Sequence, residues 1–318
     1  PLPNNVQQNP DTMKTKIDFF LAYTDASAPA IEALVACDEI HTLYLLVHQS
    51  SSCALTHAKI KRLPVESLTS MKTLRTLARV SQERYTALFL KPVGFMPGYR
   101  CMERLKQVIE AVDGAAMVYA DRYEQRGEET ALHPSIDYQP GSLRDVFDFG
   151  GLWFMPTALL QRFINEEGAS RYRHAAPYAL RLFLSRQGIL FHLGEPLYEC
   201  QTDLRASGEK QFDYVNPASR EAQIEYERAC TAHLKSIGAW LAPDEFDELP
   251  PIRTDQYPVT ASVIIPVRNR VRTIADAVGS VLSQQATFAY NVIVVDNHST
   301  DGTTEALAPY ANDSRVIV

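Results

Sequence analysis

Polar residues follow two apolar runs near the C-terminus, in the segments SVIIPVRNR and VIVVDNHSTDGT. Each run has the length of a buried parallel strand, so its polar end is expected at the carboxyl edge of a sheet, where such sheets bind ligands. The first segment places Asn269 and Arg270 at that edge, and the second places Asp296, Asn297 and Ser299 there. A carboxylate or an amide at this edge can pair with the imide edge of a pyrimidine base. The two turns therefore predict a nucleotide pocket, in which the following helix directs its positive end towards phosphate.

A second interpretation of these residues involves no ligand. Residues 296–302 can be an ordinary turn between a strand and a helix, in which Ser299 or Thr300 caps the helix. By itself, the sequence DNHSTDG favours neither interpretation. The segment SVIIPVRN at this distance before it favours the pocket.

These segments resemble the start of the family 2 glycosyltransferases of GT-A fold, which typically read SVIIPVYN, a helix ending in SVLSQ, and VVDDGSTDGT. The chain has SVIIPVRN, SVLSQ and VVDNHSTDGT. The resemblance implies that Pro266, Arg268 and Asn269 form the first nucleotide-contacting loop. It also implies that Asp296 and Asn297 face a uracil or thymine base. Because Arg268 replaces the usual tyrosine and Asn297 the usual second aspartate, the base preference stays open.

In this family, the metal-binding aspartate motif and the carboxylate base that activates the acceptor hydroxyl lie farther along the domain. The resemblance therefore implies that Mn²⁺ or Mg²⁺ is needed only by a complete second domain. No cofactor is expected for the present chain, and the catalytic residues are expected beyond Val318.

The first part of the chain alternates apolar runs with helical patterns, as parallel βαβ units require. The run RYTALFL, the turn KPVGFMPG and the later segments YALRLFLSRQG and FHLGEPLYE resemble landmarks of the same family. Residues 127–150 interrupt the alternation and are predicted to be an acidic loop. The predicted fold class is α/β, with a GT-A-like doubly wound mixed sheet of the nucleotide-diphospho-sugar transferase type, followed by the N-terminal half of a second GT-A domain.

Shifts in composition divide the chain into four predicted parts. Residues 1–13 are a polar lead-in that is expected to be disordered, and residues 14–243 form the first GT-A-like module. Residues 244–258 are a proline-rich acidic linker. Residues 259–318 begin the second GT-A domain and end before the usual length of a self-standing domain.

The resemblance also implies that the first module has lost its chemistry. Lys91, Val93 and Gly94 stand where the family's metal-binding aspartates would be, and a lysine cannot hold a cation that prefers anionic oxygen ligands. His48 and Gln49 replace the base-reading aspartates. We interpret this module as a pseudo-transferase used for packing, dimerisation or acceptor recognition. The alternative is that Lys91 neutralises a diphosphate in place of a metal.

The region of the family's catalytic base reads Tyr178-Ala179, which offers no carboxylate to accept a proton. Asp121, Asp145 and Asp148 remain as carboxylates of a cleft, although each can equally be a loop cap or a solvated charge. We single out Lys91, Asp121 and Asp148 as the cleft candidates of the first module.

Composition excludes several functional classes. Basic residues number 31 and acidic residues 38, a net charge of −7, which argues against nucleic acid as a partner. The apolar runs fall short of the roughly 20 residues that a membrane-spanning helix needs. No GxGxxG follows a predicted strand, which argues against a Rossmann dehydrogenase. The five cysteines form no CxxC pair, which fits a reducing cytoplasm.

Together these expectations describe a family 2-like glycosyltransferase that moves a sugar from a UDP- or dTDP-linked donor to a glycan or lipid-linked acceptor in bacterial surface polysaccharide synthesis. The present chain is expected to be inactive by itself. The predicted location is the cytoplasm, with peripheral membrane association and homo-oligomerisation left open. The alternative is a non-catalytic scaffold that binds a glycan or a partner protein through the degenerate module.

Overall fold

The computed structural model describes residues 15–49, 55–145, 147–202, 220–242 and 257–318. These residues fall into two units, unit 1 (Pro1–Leu241) and unit 2 (Ala242–Val318). The predicted lead-in, and all but the last two residues of the predicted linker, lie outside the described residues. The assignment of the units to two GT-A modules stays a prediction.

Unit 1 alternates strands and helices along most of its length. Its strands are β1 (Ile17–Ala22), β2 (Ile40–His48), β3 (Ile60–Val65), β4 (Tyr85–Phe89), β5 (Phe95–Pro97), β6 (Ala115–Arg126), β7 (Glu129–His133), β8 (Leu152–Pro156) and β9 (Ile189–Gln201). Its helices are α1 (Ala28–Ala36), α2 (Met71–Val80), α3 (Cys101–Ala111), α4 (Thr157–Glu167), α5 (Ala176–Gln187) and α6 (Arg220–Ser236).

These strands form one mixed sheet in the order β3-β2-β1-β4-β8-β6-β9-β5, and β7 pairs with the free part of β6. Strands β1 to β4 are parallel to one another, whereas β8 runs antiparallel between β4 and β6. Strands β4 and β6 therefore point the same way, and their carboxyl ends lie at one edge. The predicted α/β class with a mixed sheet is confirmed.

Both faces of this sheet are covered by helices. Side-chain alternation along β1 places Phe19 in a core with residues of α1 and α3, and Phe20 in a second core with residues of α2, α4 and α5. Neither ring is exposed to solvent. A strand that is buried on both faces has a nearly continuous apolar sequence, which is why IDFFLA could be recognised as one. Its one polar side chain, Asp18, accepts the backbone N–H groups of Gln82 and Glu83.

The segment predicted as an acidic loop contains a strand. Strand β7 pairs antiparallel with the end of β6, with His133 opposite Arg122. Gly127, in the tight turn between the two strands, has a φ of 63°, which glycine adopts without steric cost. The prediction was wrong because the residues of β7 are mostly exposed and polar, so they lack the apolar alternation that marks a half-buried strand.

Helix α6 is shorter than its sequence pattern predicts. The helical spacing of apolar residues and the mixed charges between them predict a helix over residues 216–241. Residues 216–219 lie outside the described residues, and the helix ends at Ser236. Gly238 follows with a φ of 71°, a frequent stop for helices. Throughout the described part of the chain, no helix combines the length and the apolar character needed to cross a bilayer.

Unit 2 has a parallel sheet of three strands, β10 (Ala261–Val267), β11 (Tyr290–Asp296) and β12 (Val316–Ile317). Helices α7 (Ile274–Leu282) and α8 (Thr303–Ala306) connect them. Val278 of α7 packs against Val292 and Val294 of β11 in a small core on one face of this sheet.

Candidate functional site

At the carboxyl edge of the unit 1 sheet, the predicted cleft residue Asp148 belongs to a cluster of charged side chains. The guanidinium of Arg122 donates from Nε to Glu124 and from Nη2 to Asp148, both at 2.8 Å. The Arg122 side chain is only 3% exposed. His133 lies between the two carboxylates, with its Nε2 at 3.0 Å from Asp148 and its Nδ1 at 3.4 Å from Glu124. We call these four residues the Arg122 cluster.

Several groups hold Asp148 in its charged form. Burial opposes the charge, but the hydrogen bond and positive charge of Arg122, the N–H of Gly150 and the positive charge of Lys91 outweigh it. As a result the pKa of Asp148 lies below its ordinary value. The Gly150 N–H donates to Oδ1 at 2.9 Å. Lys91, the second predicted cleft residue, therefore acts on this cluster as a positive charge.

Asp121, the third predicted cleft residue, lies in a different site because successive residues of a strand face opposite sides of the sheet. Its carboxylate accepts from the backbone N–H of Ser135 at 2.7 Å and lies 2.7 Å from Nε2 of His192. The other ring nitrogen of His192 lies 2.8 Å from Asp137. The histidine thus bridges a buried carboxylate and an exposed one. The structure therefore separates Asp121 from Asp148.

Substitution of Asp121 by asparagine tests this bridge. Both contacts are made by Oδ1, so asparagine can keep the acceptor but loses the negative charge that strengthens both hydrogen bonds. We therefore expect the free energy of unfolding to fall by about 1–2 kcal/mol. Asp137→Asn is the matched control, since the Asp137 side chain is 90% exposed and its loss should cost less than about 0.5 kcal/mol. Urea unfolding measures both variants. Equal losses would contradict the structural role assigned to Asp121.

Other positions that the family resemblance singled out have roles in packing and surface contacts. Tyr178 and Ala179 are buried in α5, and the Tyr178 hydroxyl donates to the carbonyl of Leu143 at 2.5 Å. The side-chain amide of Gln49 donates to Glu66 at 3.3 Å. These residues form no part of the Arg122 cluster.

In unit 2, the two turns of the predicted nucleotide pocket lie side by side. The parallel register sets Val267, the last residue of β10, opposite Asp296, the last residue of β11. The N–H of Asn297 donates to the carbonyl of Val267 at 2.8 Å, which joins the two turns.

Asn269 links the turns a second time. Its N–H donates to the hydroxyl oxygen of Ser299 at 2.8 Å, and its Oδ1 accepts from the N–H of Thr300 at 2.8 Å. Its φ of 53° lies in the left-handed region, which asparagine tolerates better than most residues. In this arrangement Asn269 positions the two turns relative to each other.

The carboxylate of Asp296 is engaged within its own turn. Its Oδ1 accepts from the N–H and the hydroxyl of Ser299 at 3.1 and 2.5 Å, and its Oδ2 accepts from the hydroxyl of Thr304 at 2.5 Å. The hydrogen bonds from the Ser299 and Thr304 side chains lower the pKa of Asp296. These contacts give Asp296 the role of a turn former, as in the interpretation without a ligand.

The helix after this turn differs from the prediction. Helix α8 has four residues, and neither Ser299 nor Thr300 caps it. Instead Asp301 accepts from the N–H of Thr303, the first helical residue, at 3.0 Å. A helix this short has a small dipole, and an acidic side chain already occupies its start, which disfavours the phosphate contact at its positive end; that contact stays a prediction.

Besides Asn269, which is exposed but joins the two turns, three of the predicted pocket residues remain accessible at this edge. Pro266, Arg268 and Asn297 are exposed. Within the described part of the chain, the side chains of Arg268 and Asn297 make no hydrogen bond or ion pair. An exposed guanidinium can bind phosphate oxygens, and an exposed amide can both donate to and accept from a base.

Comparison of the sequence with protein families gives a match to this part of the chain. Residues 262–318 match the family model described as Glycosyl transferase family 2. The resemblance predicted from SVIIPVRN and DNHSTDGT is thereby confirmed. A comparison with curated proteins gives no match.

Solved structures that are similar to the chain include three enzymes of low sequence identity. The mannosyltransferase PcManGT from Pyrobaculum calidifontis, in complex with GDP-Man and Mn²⁺, is 11% identical, with a TM-score of 0.38 and coverage of 73% of this chain and 77% of its own. Glucosyl-3-phosphoglycerate synthase from Mycobacterium tuberculosis, in complex with Mn²⁺, UDP and phosphoglyceric acid, is 11% identical, with a TM-score of 0.43. The match covers 69% of this chain and 80% of the synthase. Mannosyl-3-phosphoglycerate synthase from Rubrobacter xylanophilus is 11% identical, with a TM-score of 0.41, and the match covers 74% of this chain and 80% of that enzyme. Similarity at this level assigns neither a ligand nor a metal to this chain.

The divalent metal expected for a complete family 2 domain does not fit the edge of unit 1. The carboxylates of Glu124 and Asp148 are both paired with Arg122, and Lys91 adds a further positive charge near Asp148. A metal ion would have to displace a guanidinium that is almost fully buried, which would leave that charge without a partner. Across the described ranges, no three His, Cys, Asp or Glu side chains are grouped to hold a metal ion.

The family 2 resemblance and the sequence patterns both missed Arg122, Glu124 and His133. Arg122 and Glu124 are two residues apart in VYADRYEQR, so they share one face of a strand with opposite charges. That spacing was a signal that could have been used. The position of His133 depends on the β6–β7 hairpin and had no such signal.

Proposed function

We propose that the protein is a family 2-type glycosyltransferase that moves a sugar from a UDP- or dTDP-linked donor to a glycan or lipid-linked acceptor. The observation that carries this proposal is the family 2 match over residues 262–318, with Arg268 and Asn297 exposed at the carboxyl edge of the sheet. A role in bacterial surface polysaccharide synthesis, in the cytoplasm or at the inner face of the membrane, belongs to the same proposal.

In this proposal unit 2 binds the nucleotide of the donor. Arg268 presents a planar, permanently charged group to the diphosphate. The side-chain amide of Asn297 offers one acceptor and two donors to the imide edge of uracil or thymine. Asn269 and Asp296 act indirectly by shaping the two turns. Neither a catalytic base nor a set of metal ligands is assigned among the described residues, so these residues are proposed to bind a donor without transferring the sugar.

A second function, binding without catalysis, is favoured by the Arg122 cluster. The pairing of Asp148 and Glu124 with Arg122 leaves neither carboxylate available as a metal ligand, and Lys91 stands where a ligand would be expected. Unit 1 would then recognise a glycan or a partner protein as a pseudo-transferase module.

Substitution of Arg268 by alanine tests the nucleotide site. Loss of a charge-assisted hydrogen bond to phosphate should weaken UDP binding by about tenfold, while folding should be unaffected because the side chain is exposed and unpaired. Isothermal titration calorimetry measures the Kd. Arg315→Gln is the control for position, because Arg315 precedes β12 and so lies at the opposite edge of the sheet. Since this substitution also removes the ion pair with Asp313, circular dichroism checks that the control variant is folded. Equal UDP binding by wild type and the Arg268 variant, or none by wild type, would contradict the proposal.

Repeating the titration with Mn²⁺ distinguishes the two units. UDP binding that is independent of Mn²⁺ and unchanged in Lys91→Ala supports the site in unit 2. Binding that requires Mn²⁺ and is lost in Lys91→Ala would show a working donor site in unit 1 and would overturn the pseudo-transferase assignment.

A further inference from the structure

Two adjoining cavities of unit 1 form a groove beside helix α2. Their volumes are about 380 and 570 Å³, and both are lined by Lys72 and Arg75. Arg79 lines the smaller cavity, and Arg171 and Arg173, from the connection between α4 and α5, line the larger one. We call the space lined by these five side chains the basic groove. None of them belongs to the Arg122 cluster.

The groove collects positive charge in a chain that is acidic overall. Its five cationic side chains face two carboxylates, those of Glu66 and Glu221. Glu66 pairs with Lys72 at 2.9 Å and Glu221 with Arg173 at 3.3 Å, and the four side chains are 58% to 74% exposed. Ion pairs this exposed contribute little to stability and exchange readily with water. They leave the groove with an excess of positive charge.

Three of these cations lie on one face of α2. Lys72, Arg75 and Arg79 are three and four residues apart, so their side chains are neighbours along the helix. Like charges at these spacings repel each other, and a bound anion would remove the repulsion. Within the described residues, Arg79 and Arg171 have no hydrogen-bond or ion-pair partner.

The walls of the groove are held in place by other contacts. The guanidinium of Arg75 donates to the carbonyl of Gly168, at the end of α4. Glu225 accepts the backbone N–H groups of Arg173 and His174, which fixes the opposite wall. Ser67 and Ser70 also line the larger cavity, but their hydroxyl groups are engaged by neighbouring residues. The groove therefore combines positioned backbone with cationic side chains.

We propose that the basic groove binds a ligand that carries two separated phosphate groups. A guanidinium matches the geometry of phosphate oxygens, and arginine supplies four of the five cations. Lys72 and Arg79 are seven residues apart, or roughly 10 Å along a helix, which exceeds the reach of a single phosphate. Such a ligand can be a soluble sugar bisphosphate or the headgroups of an anionic lipid surface. This site is separate from the proposed nucleotide site of unit 2.

The test uses the full chain with the double substitution Arg79→Gln and Arg171→Gln. Both side chains lack partners, so the variant should fold normally. Fructose 1,6-bisphosphate is the soluble probe, and calorimetry should show its Kd weakened by about tenfold or more in the double variant. Arg126→Gln removes an exposed arginine that lines neither cavity and should leave the Kd unchanged. Binding should also weaken as salt is added.

Sedimentation with vesicles that contain or lack phosphatidylglycerol separates the two sources of phosphate. Vesicle binding that needs phosphatidylglycerol and is lost in the double variant assigns the lipid surface, whereas sugar bisphosphate binding alone assigns a soluble ligand. The proposal is overturned if neither probe binds, or if both bind the double variant as tightly as wild type. Bisphosphate binding that is lost in Arg268→Ala but kept in the double variant would place the anion in unit 2 and would also overturn it.

Discussion

Substitution of Arg122 by methionine is expected to lower the free energy of unfolding of unit 1 by about 3 kcal/mol at pH 7. Breaking a buried ion pair by removing one partner typically costs about 3–5 kcal/mol, because a charge is left without compensation. Glu124 and Asp148 would both lose their partner, and their side chains are 21% and 40% exposed. Since water screens part of the remaining charge, the lower end of that range is expected.

This loss should shrink as the pH falls. Arg122 helps to hold the pKa of Asp148 below its ordinary value, so the stabilisation is complete above about pH 4 and is lost as the pH falls through the folded-state pKa. Urea unfolding followed by tryptophan fluorescence measures the difference at neutral and acidic pH, since both tryptophans lie in unit 1. Arg126→Met, on the same strand but exposed, is the control. A loss that is constant with pH would mean that packing alone explains the effect.

Substitution of Glu225 by alanine is expected to cost about 2–3 kcal/mol. Its carboxylate accepts the N–H of Arg173 at 2.9 Å, of His174 at 2.7 Å and of Ala175 at 3.2 Å, which are the residues before α5. Hydrogen bonds to a charged group contribute about 1.5–3 kcal/mol, and the negative charge also lies at the positive end of the helix. Because Arg173 lines the basic groove, bisphosphate binding should weaken in the same variant.

The pH dependence of this effect has a defined sign. Burial opposes the charge of Glu225, but the three backbone N–H groups more than compensate and lower its pKa. The stabilisation is therefore complete above about pH 4.3 and is lost as the pH falls through the folded-state pKa. Glu227→Ala, at an exposed position of the same helix, is the matched control in urea unfolding. Equal losses from the two substitutions would contradict the capping role.

Much of the unit 1 fold could be predicted because its central strands are buried on both faces. IDFFLA and YTALF are apolar except for Asp18 and Thr86, and both strands lie in the interior of the sheet. The β6–β7 hairpin could not be predicted in the same way. Its second strand is exposed and is held by backbone pairing with β6, which leaves no apolar pattern in the sequence.

The same contrast between predictable and unpredictable features applies to the candidate nucleotide site of unit 2. The turns of unit 2 could be predicted to meet, because the carboxyl ends of adjacent parallel strands always share an edge. The sequence could not show that Asp296 is engaged by Ser299 and Thr304, since those hydrogen bonds depend on the exact backbone of the turn. It also left open whether Arg268 and Asn297 would be accessible.

By itself, the sequence determined the α/β class, the family 2 segment and the neighbouring turns of unit 2, because these depend on local patterns and on the direction of parallel strands. Only the tertiary structure decided which charges meet. Asp121 and Arg122 are adjacent in the chain but contribute to different sites, because strand residues alternate between the two faces of a sheet. Asp148 and His133 meet Arg122 from two other segments of the chain. Contacts of this kind depend on register and on loop paths, which residue types and spacing do not encode.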